Sequence, residues 1–346
     1  MKAIRFGITG SGYMARTHAE AIRHLGAAGK LTAIWGGSRA PELATRYGVE
    51  NESTLEGLMR RPDIDAVVVS TPHAQHARET LLALDAGKHV LVEKPMATTV
   101  EDCDRMIDAA ARRSLTLAVG YTLRFRVNAP RARDLIAAGA IGRPYTAHYS
   151  MIRRMDDNFG GNKLAWLNAR EAIGFLIDGL PHGVDMIRWL TGAEARTVAG
   201  FSRTFLPGHQ VEDATVGVIE FSNGMICSLN VTNAASGPYP GEEARLSLVG
   251  SAGTIDLNAF GNLHLSDKAG GWRVVATQPQ VPFADPDAAF TSVERMQAFF
   301  DQMQSFVDGI NGKPMRTGTG ADGRAGVAVA LALITSSRER RLVAVT

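Results

Sequence analysis

The sequence contains little of what marks several classes of protein. It has two cysteines in 346 residues, Cys103 and Cys227, and their separation is not that of a metal site. Its formal net charge is +2, which is too small to indicate a nucleic-acid partner or an anionic membrane surface. The longest apolar run, near residues 326–334, is too short to cross a bilayer. We therefore predict no metal, no nucleic acid and no membrane among its partners.

A targeting segment is also missing from the first residues. The chain enters a strand-like run at residues 4–8, and no basic and then apolar leader precedes it. A disulfide between Cys103 and Cys227 stays open on sequence alone, but two reduced thiols are the usual state in the cytosol. We therefore predict a cytoplasmic protein.

What is present is typical of a globular protein of two domains. The chain is 45% hydrophobic and 21% charged, and its length favours two domains over one. Strands and helices alternate through about the first 120 residues, which predicts a doubly wound parallel sheet. After residue 198 short strands follow one another, with a hairpin turn at Asn223-Gly224, which predicts a large, mostly antiparallel sheet. The fold class is therefore α/β followed by α+β.

A glycine-rich motif stands between the first strand and the first helix. The residues that it places at the turn are Gly10, Ser11, Gly12, Tyr13 and Met14, followed by Ala15. This G-x-G-x-x-A pattern allows a tight turn and a close approach of the backbone to a pyrophosphate, with the helix N-terminus facing the phosphates. We predict a dinucleotide-binding Rossmann domain over residues 1–121 and an α+β substrate domain over residues 122–346, whose last helix is able to pack back on the first domain.

The end of the second strand bears on the choice of dinucleotide. An NAD site usually has an acidic residue there, to hold the ribose hydroxyls. Here the strand over residues 31–35 ends in Gly36-Gly37-Ser38-Arg39, without a carboxylate. Ser38 and Arg39 suit a 2′-phosphate, although a simple helix cap and a solvated arginine are the alternative. We favour NADP(H), with NAD(H) as the alternative.

Polar residues also follow the later strands of this domain. The run Val90–Val92 ends in Glu93-Lys94-Pro95, which places an ammonium at a strand tip, where parallel sheets collect their chemistry. A solvated lysine is the alternative. The other candidate cofactor contacts, beside Glu93 and Lys94, are Ser70, Thr71, Pro72, His73, His76 and Tyr121. For His73 and His76, a role in capping or packing is the alternative.

A second group of polar residues lies in the second domain. Asp178, His182 and Asp185 are separated by four and three residues, so on a helix they share one face. A histidine with a carboxylate one turn away suits general acid–base catalysis. A metal site and a structural histidine are the alternatives, and the spacing alone leaves catalysis and a structural role open. Pro181 favours an irregular or first-turn position rather than the middle of a helix.

Taken together, these motifs resemble one family. The motifs that carry the resemblance, in chain order, are Gly10-Ser11-Gly12 with Ala15, Ser70-Thr71-Pro72 with His76, Ala86-Gly87-Lys88-His89-Val90, Glu93-Lys94-Pro95, Gly120-Tyr121 with Arg124-Phe125, and Asp178, His182 and Asp185. The chain is similar over its whole length to the glucose–fructose oxidoreductase, inositol dehydrogenase and rhizopine-catabolism (Gfo/Idh/MocA) family of NAD(P)-dependent sugar and cyclitol oxidoreductases. Leu180, where the family often has glycine, and Ala172-Ile173-Gly174, where several glycines are common, depart from the pattern.

The resemblance implies roles for these residues. It implies hydride transfer at a secondary alcohol of a sugar, polyol or cyclitol, with Lys94, Asp178 and His182 as catalytic residues. The candidate substrate-binding residues are Lys94, Arg124, Arg153, Asn158, Trp166, Asp178 and His182. The family's C-terminal sheet implies a homodimer or homotetramer. A dinucleotide-sensing regulator without catalysis is the alternative from another class, and a transient oxidation that epimerises a sugar or cleaves a glycoside is a third.

Overall fold

The computed structural model describes residues 3–153, 174–235, 243–279 and 288–346. Contacts between residues divide the chain into two compact units. The first unit contains residues 1–125 and 281–324, and the second contains 126–280 and 325–346. The sequence placed the domain boundary at residue 121 and all later residues in the second domain. By contacts the break falls after residue 125, and the segment 281–324 belongs with the first unit.

The helices of the first unit mostly follow its strands in alternation. Its helices are α1 (Tyr13–His24), α2 (Ala40–Tyr47), α3 (Leu55–Arg60), α4 (His73–Asp85), α5 (Val100–Arg112), α8 (Ala288–Thr291) and α9 (Val293–Ile310). The second unit contains α6 (Asn128–Ala137) and α7 (Phe175–Thr191), and α10 (Gly320–Glu339) contains the boundary between the units. Short 3-10 helices lie at Gly26–Ala28 and Thr122–Phe125.

The first unit has a doubly wound sheet, as the alternation of strands and helices predicted. Its strands are β1 (Ile4–Thr9), β2 (Gly29–Trp35), β3 (Glu50–Glu52), β4 (Ala66–Val69), β5 (His89–Val92), β6 (Leu117–Val119) and β15 (Gly318–Thr319). Their order is β15-β6-β5-β4-β1-β2-β3. Neighbouring pairs are parallel except β6 with β15. The order reverses between β1 and β4, and the crevice at such a switch point is where these sheets bind ligands.

Apolar burial explains why these strands lie inside. All four residues of β4 are buried, as expected for a parallel strand with helices on both faces. Phe6 and Ile8 of β1 pack with Ala15 and Ile22 of α1 in one core cluster. Residues of α9, including Phe306, join the same cluster. The core of the first unit therefore includes a helix from the far end of the sequence.

The second unit is built on a mostly antiparallel sheet, which confirms the predicted fold class. Its strands are β7 (Pro144–Ile152), β8 (Ala195–Arg203), β9 (Ala214–Phe221), β10 (Ile226–Thr232), β11 (Glu243–Gly250), β12 (Gly253–Asn258), β13 (Asn262–Asp267), β14 (Gly271–Thr277) and β16 (Val343–Ala344). Their order is β14-β13-β12-β11-β7-β10-β9-β8-β16, and β7 pairs in parallel with β10. Ala147, Tyr149 and Met151 of β7 point to the buried face. Thr146 and His148 between them are exposed, whereas Ser150 is buried, so buried and exposed residues alternate over only part of this strand.

Helix α7 lies directly against the buried face of this sheet. A Cβ atom added at Gly179 would lie 2.8 Å from the Sδ atom of Met151. One added at Gly183 would collide with the ring of Tyr149. The two glycines are one helical turn apart, so they let the helix backbone approach β7 closely. This contact fixes which faces of α7 are turned away from the sheet.

The two cysteines agree with a further prediction. Cys103 lies in α5 and Cys227 in β10, and both are buried and free. The prediction of two unpaired thiols is therefore confirmed. Among the residues that the structure describes, no helix is long and apolar enough to span a bilayer.

Candidate active site

The strands of the first unit end level with one another, which brings the predicted cofactor residues together. Thr9 pairs with Val69, Val69 with Val92, and Val92 with Val119. The residues directly after these four strand positions are Gly10, Ser70, Glu93 and Gly120. They therefore lie side by side at the carboxyl edge of the sheet, where parallel sheets collect their chemistry.

The glycine motif forms a close contact at the switch point between β1 and β4. Gly10 has a φ of +92°, and a Cβ atom on it would lie 2.6 Å from the carbonyl oxygen of Ser70. Gly12 precedes α1 and provides no capping side chain, and the first turn of the helix contains no acidic residue. The first N–H groups of α1 are therefore not capped by the side chain of residue 12, and no acidic residue of the first turn repels an anion. This arrangement fits a dinucleotide pyrophosphate.

The side chains of the motif have different surroundings. Ser11 is buried, and a Cβ atom on Gly37 would lie 2.5 Å from its Oγ atom. Tyr13 is 36% exposed and its ring lies 4.9 Å from that of Phe290. Met14 is half-buried against the core. The motif therefore presents mainly backbone at the edge of the sheet.

Arg39 lies beside this turn. A Cβ atom on Gly12 would be 3.8 Å from the Nη2 atom of Arg39, so the guanidinium group is close to the start of α1. Ser38 and Arg39 are both exposed. Gly36 and Gly37 have φ angles of +95° and +80°, which only glycine adopts readily. This turn therefore brings a cation next to the candidate pyrophosphate site.

The loop after β4 is fixed by hydrogen bonds. The Ser70 hydroxyl donates to the carbonyl of Thr9 at 2.7 Å. The hydroxyls of Thr9 and Thr71 donate to Glu79 Oε2 at 2.6 and 3.0 Å. Glu79 is 1% exposed, and burial raises its pKa. Pro72 is exposed at the tip of the loop. Among these candidates, Ser70 and Thr71 are thus held rigidly at the sheet edge by their own hydroxyls.

His76 connects this loop to the one that follows β5. Its Nδ1 atom lies 2.7 Å from the carbonyl oxygen of Pro95, and its Nε2 atom lies 2.7 Å from that of Thr71. The ring is fully buried, with that of His73 5.7 Å away. Burial lowers the pKa of His76 to about 4, although the two carbonyl oxygens favour a charged ring. The geometry favours a structural clamp over a cofactor contact for His76.

Lys94 lies two residues beyond the end of β5, as its sequence position predicted. It is half-buried, whereas Glu93 before it and Pro95 after it are buried. The Lys94–Pro95 peptide bond is cis. The ammonium group is therefore carried by a short loop whose neighbours on both sides are packed into the protein.

The two remaining candidates of the first unit are buried. Tyr121 is 0% exposed and packs beside Gly318, where a Cβ atom would lie 2.6 Å from its ring. Arg124 Nη2 lies 3.0 Å from Asp322 Oδ2, and its Nη1 atom donates to the carbonyl of Arg316 at 3.3 Å. These contacts favour a structural role for the Arg124 side chain, at the start of α10.

The predicted catalytic residues of the second unit lie in one helix. Asp178, His182 and Asp185 are all in α7 and are 5%, 7% and 1% exposed. Their spacing places them on one helix face, as predicted. The expected position of Pro181 is wrong, because it lies in the interior of α7. Proline lacks the N–H that would bond to the Ile177 carbonyl, but the helix is buried on most sides, and packing outweighs that loss.

Asp178 has a cation beside it. Arg153 Nη1 lies 3.4 Å from Asp178 Oδ2, and both side chains are largely buried, at 15% and 7% exposed. The Arg153 N–H donates to the carbonyl of Thr232 at 2.9 Å, which anchors it at the end of β7. The structure therefore brings two predicted substrate-binding residues together. Asn158 and Trp166, the other two candidates in this region, lie outside the described residues.

Glu212, which no sequence pattern indicated, caps the same helix from another part of the chain. Its Oε2 and Oε1 atoms accept from the N–H groups of Phe175 and Leu176 at 3.0 and 2.9 Å. Gly174, with a φ of +94°, leaves no room for a Cβ atom beside this carboxyl group. Burial raises the pKa of Glu212 to about 8, and the charges of Asp213 and Asp178 act in the same direction. No local motif marks a cap that is 37 residues away.

The raised pKa of Glu212 predicts a loss of stability as the pH rises. The folded protein holds this proton up to about pH 8, whereas the unfolded chain releases it near 4.5. Stability is therefore fully present below about pH 4.5 and lost towards about pH 8. Relative to Glu212→Gln, the free energy of unfolding in urea should fall by roughly 2–4 kcal/mol across this window.

A matched variant controls this measurement. Glu50→Gln removes an exposed carboxylate from β3 and should leave the pH dependence as in the wild type. Parallel stability curves for the wild type and Glu212→Gln would contradict the prediction.

The next feature is the absence of a metal-binding cluster among the described residues. Among them, no group of three or more His, Cys, Asp or Glu side chains is placed to hold a metal ion.

Comparison with known families gives two matches. Residues 4–121 match the family described as "Oxidoreductase family, NAD-binding Rossmann fold". Residues 130–256 match the "GFO/IDH/MocA C-terminal domain". The two matched segments contain the carboxyl edge of the first sheet and helix α7, respectively.

Individual relatives agree with these matches. The chain is 34% identical over 55% of its length to "1-carboxy-3-chloro-3,4-dihydroxycyclo hexa-1,5-diene dehydrogenase" of Comamonas testosteroni, and spans only 47% of that protein. It is 28% identical to "1,5-anhydro-D-fructose reductase" of Ensifer adhaerens over 96% of each chain. A solved levoglucosan dehydrogenase in complex with NADH and levoglucosan is 25% identical over 99% of this chain and 100% of its own, with a TM-score of 0.85.

Proposed function

Because the chain belongs to the Gfo/Idh/MocA family of oxidoreductases with an NAD-binding Rossmann fold, we propose that it transfers a hydride between a nicotinamide dinucleotide and a secondary alcohol or ketone of a sugar, polyol or cyclitol. The observation that carries the proposal is the carboxyl edge of the first sheet. At this edge, β1 is followed by the helix N-terminus at Gly12, which no side chain caps, and β5 is followed by the loop that carries Lys94. Both strands end at the same level as β4, which lies between them. The similar reductase and dehydrogenases are named for ring compounds with hydroxyl or keto groups, which supports this substrate class.

The dinucleotide would be held by the glycine motif and the first turn of α1. When bound, its nicotinamide ring accepts or returns the hydride. The backbone at Gly10, Ser11 and Gly12 would contact the pyrophosphate, since the Gly10 turn has no space for a side chain. Ser70 and Gly120, the first residues after β4 and β6, would line the remainder of this edge.

The protein's own residues would handle the proton and the developing charge. His182 would accept the hydroxyl proton of an alcohol substrate, or return it to a ketone, as a general base or acid. Asp178, one turn away in α7, would orient the imidazole and bond to a substrate hydroxyl. Arg153 would hold Asp178 in place. Lys94 would stabilise the negative charge that develops on the substrate oxygen, which a fixed ammonium does most effectively in a site without bulk water.

A substrate panel tests the proposal. Sugars, polyols and inositols are incubated with the protein and either NAD or NADP, and reduction is followed by the absorbance of the reduced nicotinamide. Turnover with at least one class is the expected result. Dinucleotide binding without turnover of any panel member would instead support a regulator, and a cofactor that is reduced and reoxidised without release would support transient oxidation.

We also propose that the site accepts NADP(H). The guanidinium of Arg39 lies beside Gly12, and Ser38 has an exposed side chain. A ribose 2′-phosphate is bound by a cation and a hydroxyl donor of this kind, which supports the proposal. The similar levoglucosan dehydrogenase is a complex with NADH, so NAD(H) is the direct competitor in the test.

Replacing Arg39 should separate the two dinucleotides. Arg39→Ala is expected to weaken NADP binding by roughly 10–100-fold, the value of a charge-assisted hydrogen bond, and NAD binding by less than about 3-fold. Arg46→Ala, which removes an exposed arginine from the last turn of the same helix, is the control. Equal losses for the two dinucleotides in calorimetric titrations would contradict the assignment.

We further propose that the outer face of the second sheet binds another copy of the chain. Phe201, Val216, Val218 and Ile226 are each at least half exposed on neighbouring strands β8, β9 and β10. Such a group of exposed apolar side chains marks an interaction surface. A sheet face of this kind suits self-association with two-fold symmetry.

A charge on this face should prevent assembly. Val218→Asp is expected to shift the sedimentation coefficient from that of an oligomer to that of a monomer. Val293→Asp, at an equally exposed position at the start of α9, should not. A wild-type protein that sediments as a monomer at high concentration would contradict the proposal.

A further inference from the structure

The backbone around Lys94 is held from both sides by buried side chains. The Lys94 N–H group donates to Glu93 Oε2 at 3.2 Å. The carbonyl oxygen of Pro95 lies 2.7 Å from the Nδ1 atom of His76. Both holding groups belong to buried residues, so the loop that carries the ammonium has little freedom to shift.

Glu93 is in turn held by His18 of α1. The Nε2 atom of His18 lies 2.7 Å from Glu93 Oε1, and the two side chains are 1% and 8% exposed. Burial alone would raise the pKa of Glu93, but the hydrogen bond to His18 and the positive charges of His18 and Lys94 outweigh it and lower the pKa. Glu93 is therefore ionised. One of its oxygen atoms contacts His18 and the other accepts from the backbone of Lys94.

The Glu93 carboxylate lies close to the backbone of Gly120. A Cβ atom on Gly120 would lie 3.0 Å from Glu93 Oε1 and 3.1 Å from its Cδ atom, so a larger residue there would crowd the carboxylate. The His18 ring meets the ring of Phe299 edge-on, with centroids 6.2 Å apart. On α1, His18 stands among the buried apolar residues Ala15 and Ile22. A polar side chain in this apolar face has one described hydrogen-bond partner, and that partner is Glu93.

We infer that His18 is a positioning residue for Lys94 and acts through Glu93. The inference rests on the proposed role of Lys94 and extends it. His18 fixes the Glu93 carboxylate, and the carboxylate fixes the Lys94 backbone from which the ammonium extends. Since α1 also begins at the candidate pyrophosphate site, one helix determines the position of both the dinucleotide and the ammonium. Geometry of this kind matters because a displacement of about 1 Å can reduce a rate by roughly 10²-fold.

Removing the imidazole should reduce turnover much more than binding. In His18→Leu, kcat is expected to fall by roughly 10–100-fold, while the Kd for the dinucleotide stays within about 3-fold. His18→Gln retains an N–H donor for Glu93 and should recover part of the loss. If His18→Leu does not fold, Glu93→Gln takes its place in the test. This variant leaves no buried charge without a partner, and it should show the same loss of kcat.

A control distinguishes positioning from loss of stability. Lys88→Met removes a buried ammonium that donates to the carbonyls of Arg61 and Ile64 at the opposite end of β5. It should destabilise the first unit without lowering kcat. If Lys88→Met and His18→Leu lower the melting temperature and kcat in the same proportion, the positioning role is overturned.

A double-mutant cycle completes the test. If His18 acts through Lys94, adding His18→Leu to Lys94→Ala causes no further loss of kcat. Losses that multiply would overturn the inference, as would normal kcat in His18→Leu when Lys94→Ala is inactive. Normal turnover in Lys94→Ala itself would instead overturn the role of Lys94 in the proposed function.

Discussion

Replacing Lys94 or His182 by alanine is expected to lower kcat by roughly 10²–10⁴-fold, the usual contribution of one acid–base or electrostatic group. The Kd for the dinucleotide should stay within about 3-fold of the wild type in the His182 variant, because His182 belongs to the second unit and the glycine motif to the first. Single-turnover kinetics and calorimetric titration of each variant measure the two quantities separately.

Two variants of the same residue types control this experiment. Lys30→Ala removes an exposed lysine from β2, and His24→Ala removes an exposed histidine from the last turn of α1. Both should retain the wild-type kcat. An active Lys94→Ala or His182→Ala variant would remove that residue from the proposed chemistry.

A Gly10→Ala substitution should damage both the fold and dinucleotide binding. The residue has a φ of +92°, and the added Cβ atom would lie 2.6 Å from the Ser70 carbonyl oxygen. Backbone strain and the collision together should cost about 2–4 kcal/mol of stability. Because the backbone of this turn is the candidate pyrophosphate contact, dinucleotide affinity should fall at least about 10-fold.

The matched control for this variant is another glycine of the first unit. Gly48 also has a left-handed φ, +63°, but a Cβ atom there would meet nothing within 4 Å. Gly48→Ala should therefore cost about 1 kcal/mol and leave dinucleotide affinity unchanged. If Gly10→Ala binds the dinucleotide as tightly as Gly48→Ala does, the turn is not the pyrophosphate site.

Local pattern was enough to predict the elements that carry the candidate site. The G-x-G-x-x-A motif predicted the turn before α1, because glycine is needed where a backbone has a positive φ and a close neighbour. The apolar run before Glu93 predicted β5, because a strand that is buried on both faces consists almost entirely of apolar residues. The spacing of Asp178 and His182 predicted that they share a helix face, since an α-helix repeats every 3.6 residues.

Local pattern was misleading at Pro181, where packing decides. Pro181 indicated a helix start, yet it lies within α7, because burial of the surrounding residues outweighs one lost backbone hydrogen bond. For His76 the sequence left a cofactor contact and a packing role open, and the structure places both of its ring nitrogens against carbonyl oxygens of two loops, which favours packing. Arg124 stays a candidate substrate contact, and its guanidinium also lies against Asp322, a contact across 198 residues that no local pattern indicates.

By itself, the sequence determined which segments become strands and helices, and which residues stand at the strand ends and on the face of α7. These follow from periodicity and from the backbone preferences of glycine and proline, which act over a few residues. Only the tertiary structure decided that His18 contacts Glu93, that Glu212 caps α7, and that α9 joins the core of the first unit. Such contacts join residues that are far apart in the chain. They depend on the pairing of strands and on which faces of the helices are buried, so no local pattern contains them.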